Sequence, residues 1–123
     1  MRWLLHGTLT PAVADALRER GDQVQDLAGL GLAADALHVE VLNAANKAQL
    51  DLITNVSAMA EAPFGEDAGT FHRSVVYLQL EGGDVEQDDA VDRLFERYKR
   101  LTPGRLYTVT GTRVKIRQLP ERP

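Results

Sequence analysis

Arg2-Trp3-Leu4-Leu5-His6-Gly7-Thr8-Leu9-Thr10-Pro11 decides the fold: a short hydrophobic strand, Arg2–Leu5, runs through His6-Gly7 into a helix that begins at Thr10-Pro11. Thr10 offers an N-cap hydroxyl, and Pro11 takes the first helical position, where its missing N–H costs nothing. Val13, Ala14 and Leu17 make an apolar stripe, Arg18, Glu19 and Arg20 sit in an exposed last turn, and Gly21 stops the helix. Strand, tight loop and helix in quick succession open an alternating α/β domain.

The same alternation continues outward. A second strand is predicted over Gln23–Leu27, followed by the flexible apolar loop Ala28-Gly29-Leu30-Gly31-Leu32. A helix starts near Asp35 or Leu37 and runs to about Gln49, with Leu37, Val41, Ala44, Ala45 and Ala48 on one face. The third strand, Leu50–Thr54, ends in Asn55-Val56-Ser57. Ala62-Pro63-Phe64-Gly65-Glu66-Asp67-Ala68-Gly69 is a surface loop, with at most one helical turn before it. Val75–Leu80 reads as a buried strand, being nearly continuous and rich in β-branched and aromatic residues. A helix over 85–101 follows, with Val91, Leu94, Phe95, Tyr98 and Leu101 on its apolar face. Asp84, Glu86, Asp88 and Asp89 near its start and Arg97, Lys99 and Arg100 near its end complement its dipole. Arg105–Thr110 and Arg113–Leu119 alternate around Gly111 as a hairpin. The expected whole is one domain over 1–123: a mostly parallel sheet, helices on both faces and a final antiparallel strand.

Composition narrows the function classes. Hydrophobic residues are 44% and charged residues 26%, which gives a disordered chain no support. No apolar run approaches the length of a membrane-spanning helix, and the N-terminus enters a strand without the features of a secretory signal, so a cytoplasmic protein without membrane contact is expected. With no cysteine there are no disulfides, thiolate nucleophiles or Cys-based zinc sites. A net charge of −4 supplies no global field for nucleic acid, so any RNA contact has to be local.

An open parallel sheet gathers its ligands at the carboxyl ends of its strands. Those ends are His6-Gly7 and Thr54-Asn55-Val56-Ser57, and neither carries the catalytic acids an α/β enzyme would normally place there.

The ordered segments resemble the small stand-alone PIN-like ribonuclease domains related to VapC-type toxins. The likeness is carried by the opening strand, loop and helix with Leu17-Arg18-Glu19-Arg20-Gly21, by Glu40-Val41-Leu42-Asn43-Ala44-Ala45 through Leu52-Ile53-Thr54, by His72-Arg73-Ser74-Val75-Val76-Tyr77-Leu78, and by the closing Arg113-Val114-Lys115-Ile116-Arg117-Gln118-Leu119. The resemblance implies a PIN-like three-layer sandwich, RNA as substrate, a divalent metal such as Mg²⁺ or Mn²⁺, self-association as a homodimer, and a small antitoxin-like protein partner. It also implies acids at the end of the first strand, at the start of the central helix and just after the third-strand Thr. Those positions hold His6, His38 and Val56, with Ala58 at a further acidic place.

A hard cation needs oxygen ligands, and Val56 is no ligand at all. The expectation is therefore a domain degenerate at its metal site that binds RNA or protein, with Thr54, Asn55, Val56 and Ser57 lining the pocket. The alternative is an active ribonuclease in which His6 and His38 bind a Zn-like metal, with Asp35 or Glu40 as a third ligand, or act without metal as acid and base. The plainest account is that the imidazoles fill a vacated acidic pocket and hydrogen-bond locally. Gly29-Leu30-Gly31-Leu32-Ala33-Ala34 fits a loose dinucleotide pattern, but Asp51 begins a strand where the ribose-binding acid should end one, so a tight turn is the better reading. Arg113, Lys115 and Arg117 project from one face of the last strand, where charge discourages edge-to-edge aggregation.

Overall fold

The computed structural model describes residues 1–121, so the single-domain reading of 1–123 runs two residues past that limit. The elements are β1 (Arg2–His6), α1 (Pro11–Glu19), β2 (Gln23–Gln25), α2 (His38–Ala48), β3 (Asp51–Thr54), α3 (Ser57–Glu61), β4 (Val75–Leu78), α4 (Asp84–Arg97), β5 (Arg105–Val109) and β6 (Val114–Gln118), with 3₁₀ turns at Ala28–Leu30 and Ala62–Phe64. They build an α/β fold on a six-stranded sheet ordered β2-β1-β3-β4-β5-β6. All neighbours are parallel except β5 and β6, which form the expected antiparallel hairpin. Among the described residues no helix is long and apolar enough to cross a membrane.

Strand register explains the core. Leu4, Leu52, Val75 and Leu106 lie side by side across four strands, and Leu5, Ile53, Val76 and Tyr107 form the next row. Successive side chains of a strand point to opposite faces, so the two rows enter different cores. The first packs against Val41, Leu42 and Ala45 of α2 and Met59 and Ala60 of α3. The second packs with Trp3 against Val13, Ala16 and Leu17 of α1 and Ala90, Val91, Leu94 and Phe95 of α4. Full burial of each large side chain contributes about 1.5–3 kcal/mol, so both faces are needed.

The placement of α4 breaks a topological habit. The step from β1 to β2 moves one way along the sheet, and the steps from β2 to β3, β3 to β4 and β4 to β5 all move the other way. Crossovers of one hand put their helices on opposite faces when they run in opposite directions, as α1 on one side and α2 and α3 on the other do. Yet α4 shares the face of α1. The β4-α4-β5 unit therefore has the opposite hand to the other three, so the four crossovers do not share the single hand that such units strongly prefer.

Several local expectations are corrected. Thr10 stands at the N-cap of α1, but its hydroxyl makes no capping bond and its Oγ1 is buried without a partner; the Thr10 N–H donates instead to Gln87 Oε1 on α4 at 2.9 Å. Leu37 is 65% exposed, because it is the extended N-cap of α2 and precedes the helical periodicity. Helix α4 ends at Arg97, since Tyr98 turns to φ −130°, ψ 100°, so Lys99 and Arg100 lie outside the helix. Strands β2 and β4 stop at Gln25 and Leu78, two residues before their predicted ends.

Candidate functional site

Strand order reverses between β1 and β3, and an open α/β sheet forms its ligand crevice at that point, beyond the carboxyl ends of the strands. His6 ends β1 and Thr54 ends β3, paired in register. Both side chains share the face of Leu4 and Leu52, two residues earlier on each strand, which is the face covered by α2. His38, the first residue of α2, thereby comes over His6: the rings meet edge to face at 85°, with centroids 5.8 Å apart.

His6 is 8% exposed and Thr54 fully buried, and His6 Nδ1 lies 2.8 Å from Thr54 Oγ1. The Thr54 hydroxyl oxygen also accepts the Val56 N–H at 3.0 Å. Either the imidazole Nδ1–H donates to that oxygen or the hydroxyl donates to Nδ1, and the tautomer sets which. Among the described residues Nδ1 carries the one hydrogen bond of the His6 ring. Burial first, and the neighbouring His38 charge second, lower the His6 pKa below its ordinary 6.5, so His6 is neutral near pH 7.

The loop after β1 is held by Asn55. Its Oδ1 accepts the Thr8 N–H at 2.9 Å, and its Nδ2 donates to Thr8 Oγ1 at 2.9 Å. This brings the chain so close that Gly7, at φ +92°, has no room for a side chain: a Cβ would collide with Asn55 Oδ1 and lie 2.8 Å from Val56 Cγ2. Beside these residues opens a cleft of about 590 Å³, walled by Leu5, His6, His38, Val56, Leu27 and Leu32, with Asp26 also in its lining.

The structure thus brings His6, His38, Thr54, Asn55 and Val56 together at one end of the sheet. Ser57 begins α3 and lines a different groove of about 430 Å³, with Tyr77, Thr108, Lys115 and Arg117. Asp35 and Glu40 are exposed and line neither space. Among the described residues, the one set of three Asp, Glu, His or Cys ligand atoms lying within 4.8 Å of one another is Asp88, Asp89 and Asp92 on α4. The two imidazoles are therefore joined by neither Asp35 nor Glu40. This donor set does not suit a hard divalent cation, which takes carboxylate and carbonyl oxygens.

Sequence reasoning missed Asp26, the sole carboxylate in the cleft lining, whose Oδ1 accepts the Gly29 N–H at 2.9 Å. It also missed the constraint on Gly7, although a glycine directly after a strand end is the available signal for one. His72, exposed and ahead of β4, sits at the opposite end of the sheet. No protein-family model, curated protein or solved structure matches this chain.

Proposed function

We propose that this chain is a PIN-like ribonuclease-fold protein, a three-layer sandwich of toxin–antitoxin type, that has lost its acidic metal site and acts by binding. The observation that carries the reading is the His6–Thr54 hydrogen bond of 2.8 Å at the strand end where such an enzyme would hold its first acid. A buried imidazole tied to its neighbour replaces a metal-ligating carboxylate, and Val56 replaces another. Capture of a small antitoxin-like protein fits the cleft better than RNA does. Among the described residues no Lys or Arg lines it, whereas phosphate affinity comes from cations; Leu5, Leu27, Leu32 and Val56 offer an apolar surface instead. Self-association and a cytoplasmic setting belong to the same reading.

The test is incubation of the purified chain with single-stranded RNA of mixed sequence in Mg²⁺ and in Mn²⁺. The expected result is no cleavage above the buffer control. Strong cleavage that disappears in His6→Ala overturns the proposal.

A second reading, metal-free ribonuclease chemistry, has the convergence of the two rings in its favour. His6, neutral and lining the cleft, is suited to a general base, and His38 to its partner. Cleavage that survives EDTA and is lost in both His6→Ala and His38→Ala would install this reading in place of the first.

A further inference from the structure

We propose a phosphate-binding site at the amino-terminal end of the sheet, at the opposite end from the histidine cleft and independent of its function. A cavity of about 300 Å³ there is walled by Arg20, Arg73, Lys99, Arg100, Asp22 and Asp51. That volume is at the lower limit of small-ligand pockets, enough for a compact anion.

The charges do not cancel within the protein. Asp22 Oδ2 accepts the Trp3 Nε1–H at 3.0 Å. Asp51, 2% exposed, accepts from Ser74 N at 3.0 Å, Ser74 Oγ at 2.8 Å and Arg73 Nη2 at 3.2 Å. Both carboxylates are thus engaged, and among the described residues neither Arg20, Lys99 nor Arg100 has a carboxylate within ion-pair distance. The carboxyl ends of α1 and α4 meet here and withdraw about one further unit of charge, which still leaves a cationic surplus in a chain whose net charge is −4.

A second observation points the same way. Arg73 Nε is buried without an acceptor, one of two such side-chain atoms among the described residues. An N–H in that state costs about 1–3 kcal/mol, so this guanidinium is short of a partner. If Arg73 turns toward an anion it gives up one contact to Asp51, and Asp51 keeps both bonds from Ser74. Arg20 is held in place by the Phe95 ring, 3.4 Å from its guanidinium carbon. Lys99 and Arg100 reach the site because the chain leaves its helical path at Tyr98. Four cations, three of them planar forks that match phosphate oxygens, around a small cavity select a phosphate-type dianion over a monocarboxylate.

Amide chemical shifts of the whole chain, followed while sodium phosphate or sodium pyrophosphate is added at constant ionic strength, test the site. The expected result is a saturable shift confined to Gly21, Arg73, Lys99, Arg100 and Leu101, with pyrophosphate the tighter ligand. The Lys99→Gln/Arg100→Gln double variant, altered only at exposed positions, should bind pyrophosphate at least about tenfold more weakly while its other amides stay in place. Shifts that do not saturate, that centre on His6, or that survive in the double variant overturn the proposal. Titration with an RNA oligonucleotide separates the sources of the phosphate. Movement of the same amides and displacement of pyrophosphate identify a polynucleotide backbone, and unmoved amides identify a free phosphate compound.

Discussion

The two ends of β3 each bury a polar residue, and the two are held in different ways. At the amino-terminal end, Asp51 receives three donors, and its hydrogen-bonding capacity is spent inside the protein. At the carboxyl end, His6 and Thr54 share one bond, the one side-chain hydrogen bond of the His6 ring among the described residues, beside an open cleft. A buried polar group saturated by its own chain fastens the fold, whereas one left partly open is available for a ligand. Residue type alone would have suggested the reverse, since the carboxylate is the more usual catalytic group.

Removing the saturated group should do the most damage. Asp51→Ala strands the Ser74 N–H, the Ser74 hydroxyl and the Arg73 guanidinium, and about 3 kcal/mol of unfolding free energy should be lost in a denaturant titration. A variant as stable as the parent would break the comparison. At the other end, Gly7→Ala forces a Cβ into Asn55 and Val56 at a positive φ, with an expected cost of about 2 kcal/mol and a disturbed His6 ring signal. If stability falls while the imidazole resonances stay put, the loop does not position the histidine.

The smallest effect is the pH response of the open end. His6 has a lowered pKa when folded, so between that value and 6.5 the unfolded chain binds more protons than the folded one. The stability that neutral His6 contributes is present above pH 6.5 and is lost as the pH falls through the folded pKa. His38→Gln removes the repulsive part and leaves burial, the larger cause, so it should flatten this slope in part and move the His6 titration upward. Proton NMR of the imidazole read beside unfolding at each pH checks both. A slope of the opposite sign would mean that the folded state stabilises the imidazolium.

The sheet was legible because period-two alternation and buried runs such as Val75-Val76-Tyr77-Leu78 have one physical solution, two covered faces. Convergence of His6 with His38 was expected from the resemblance, which set the two at the end of the first strand and the start of the central helix, and the rings do meet. Asp26 was not expected, since its place in the cleft depends on how the chain from Asp26 to Leu37 folds back, and no periodicity encodes that. The end of α4 was misread because Tyr98 and Leu101 keep a helical spacing after the backbone has left the helix: both remain in the core from an extended path. Thr10 was a good N-cap by type, but its backbone N–H is claimed by a glutamine 77 residues away, a tertiary contact that local propensity cannot anticipate.

The odd-handed return of α4 has a kinetic consequence. Trp3, the lone tryptophan, finishes its packing only against Phe95, at 6.4 Å between ring centroids, so that core closes a loop spanning most of the chain. Contacts of such separation in sequence form slowly. During synthesis from the N-terminus the indole can meet α1 early but Phe95 only after α4 has been made, so its change in fluorescence reports the docking of α4.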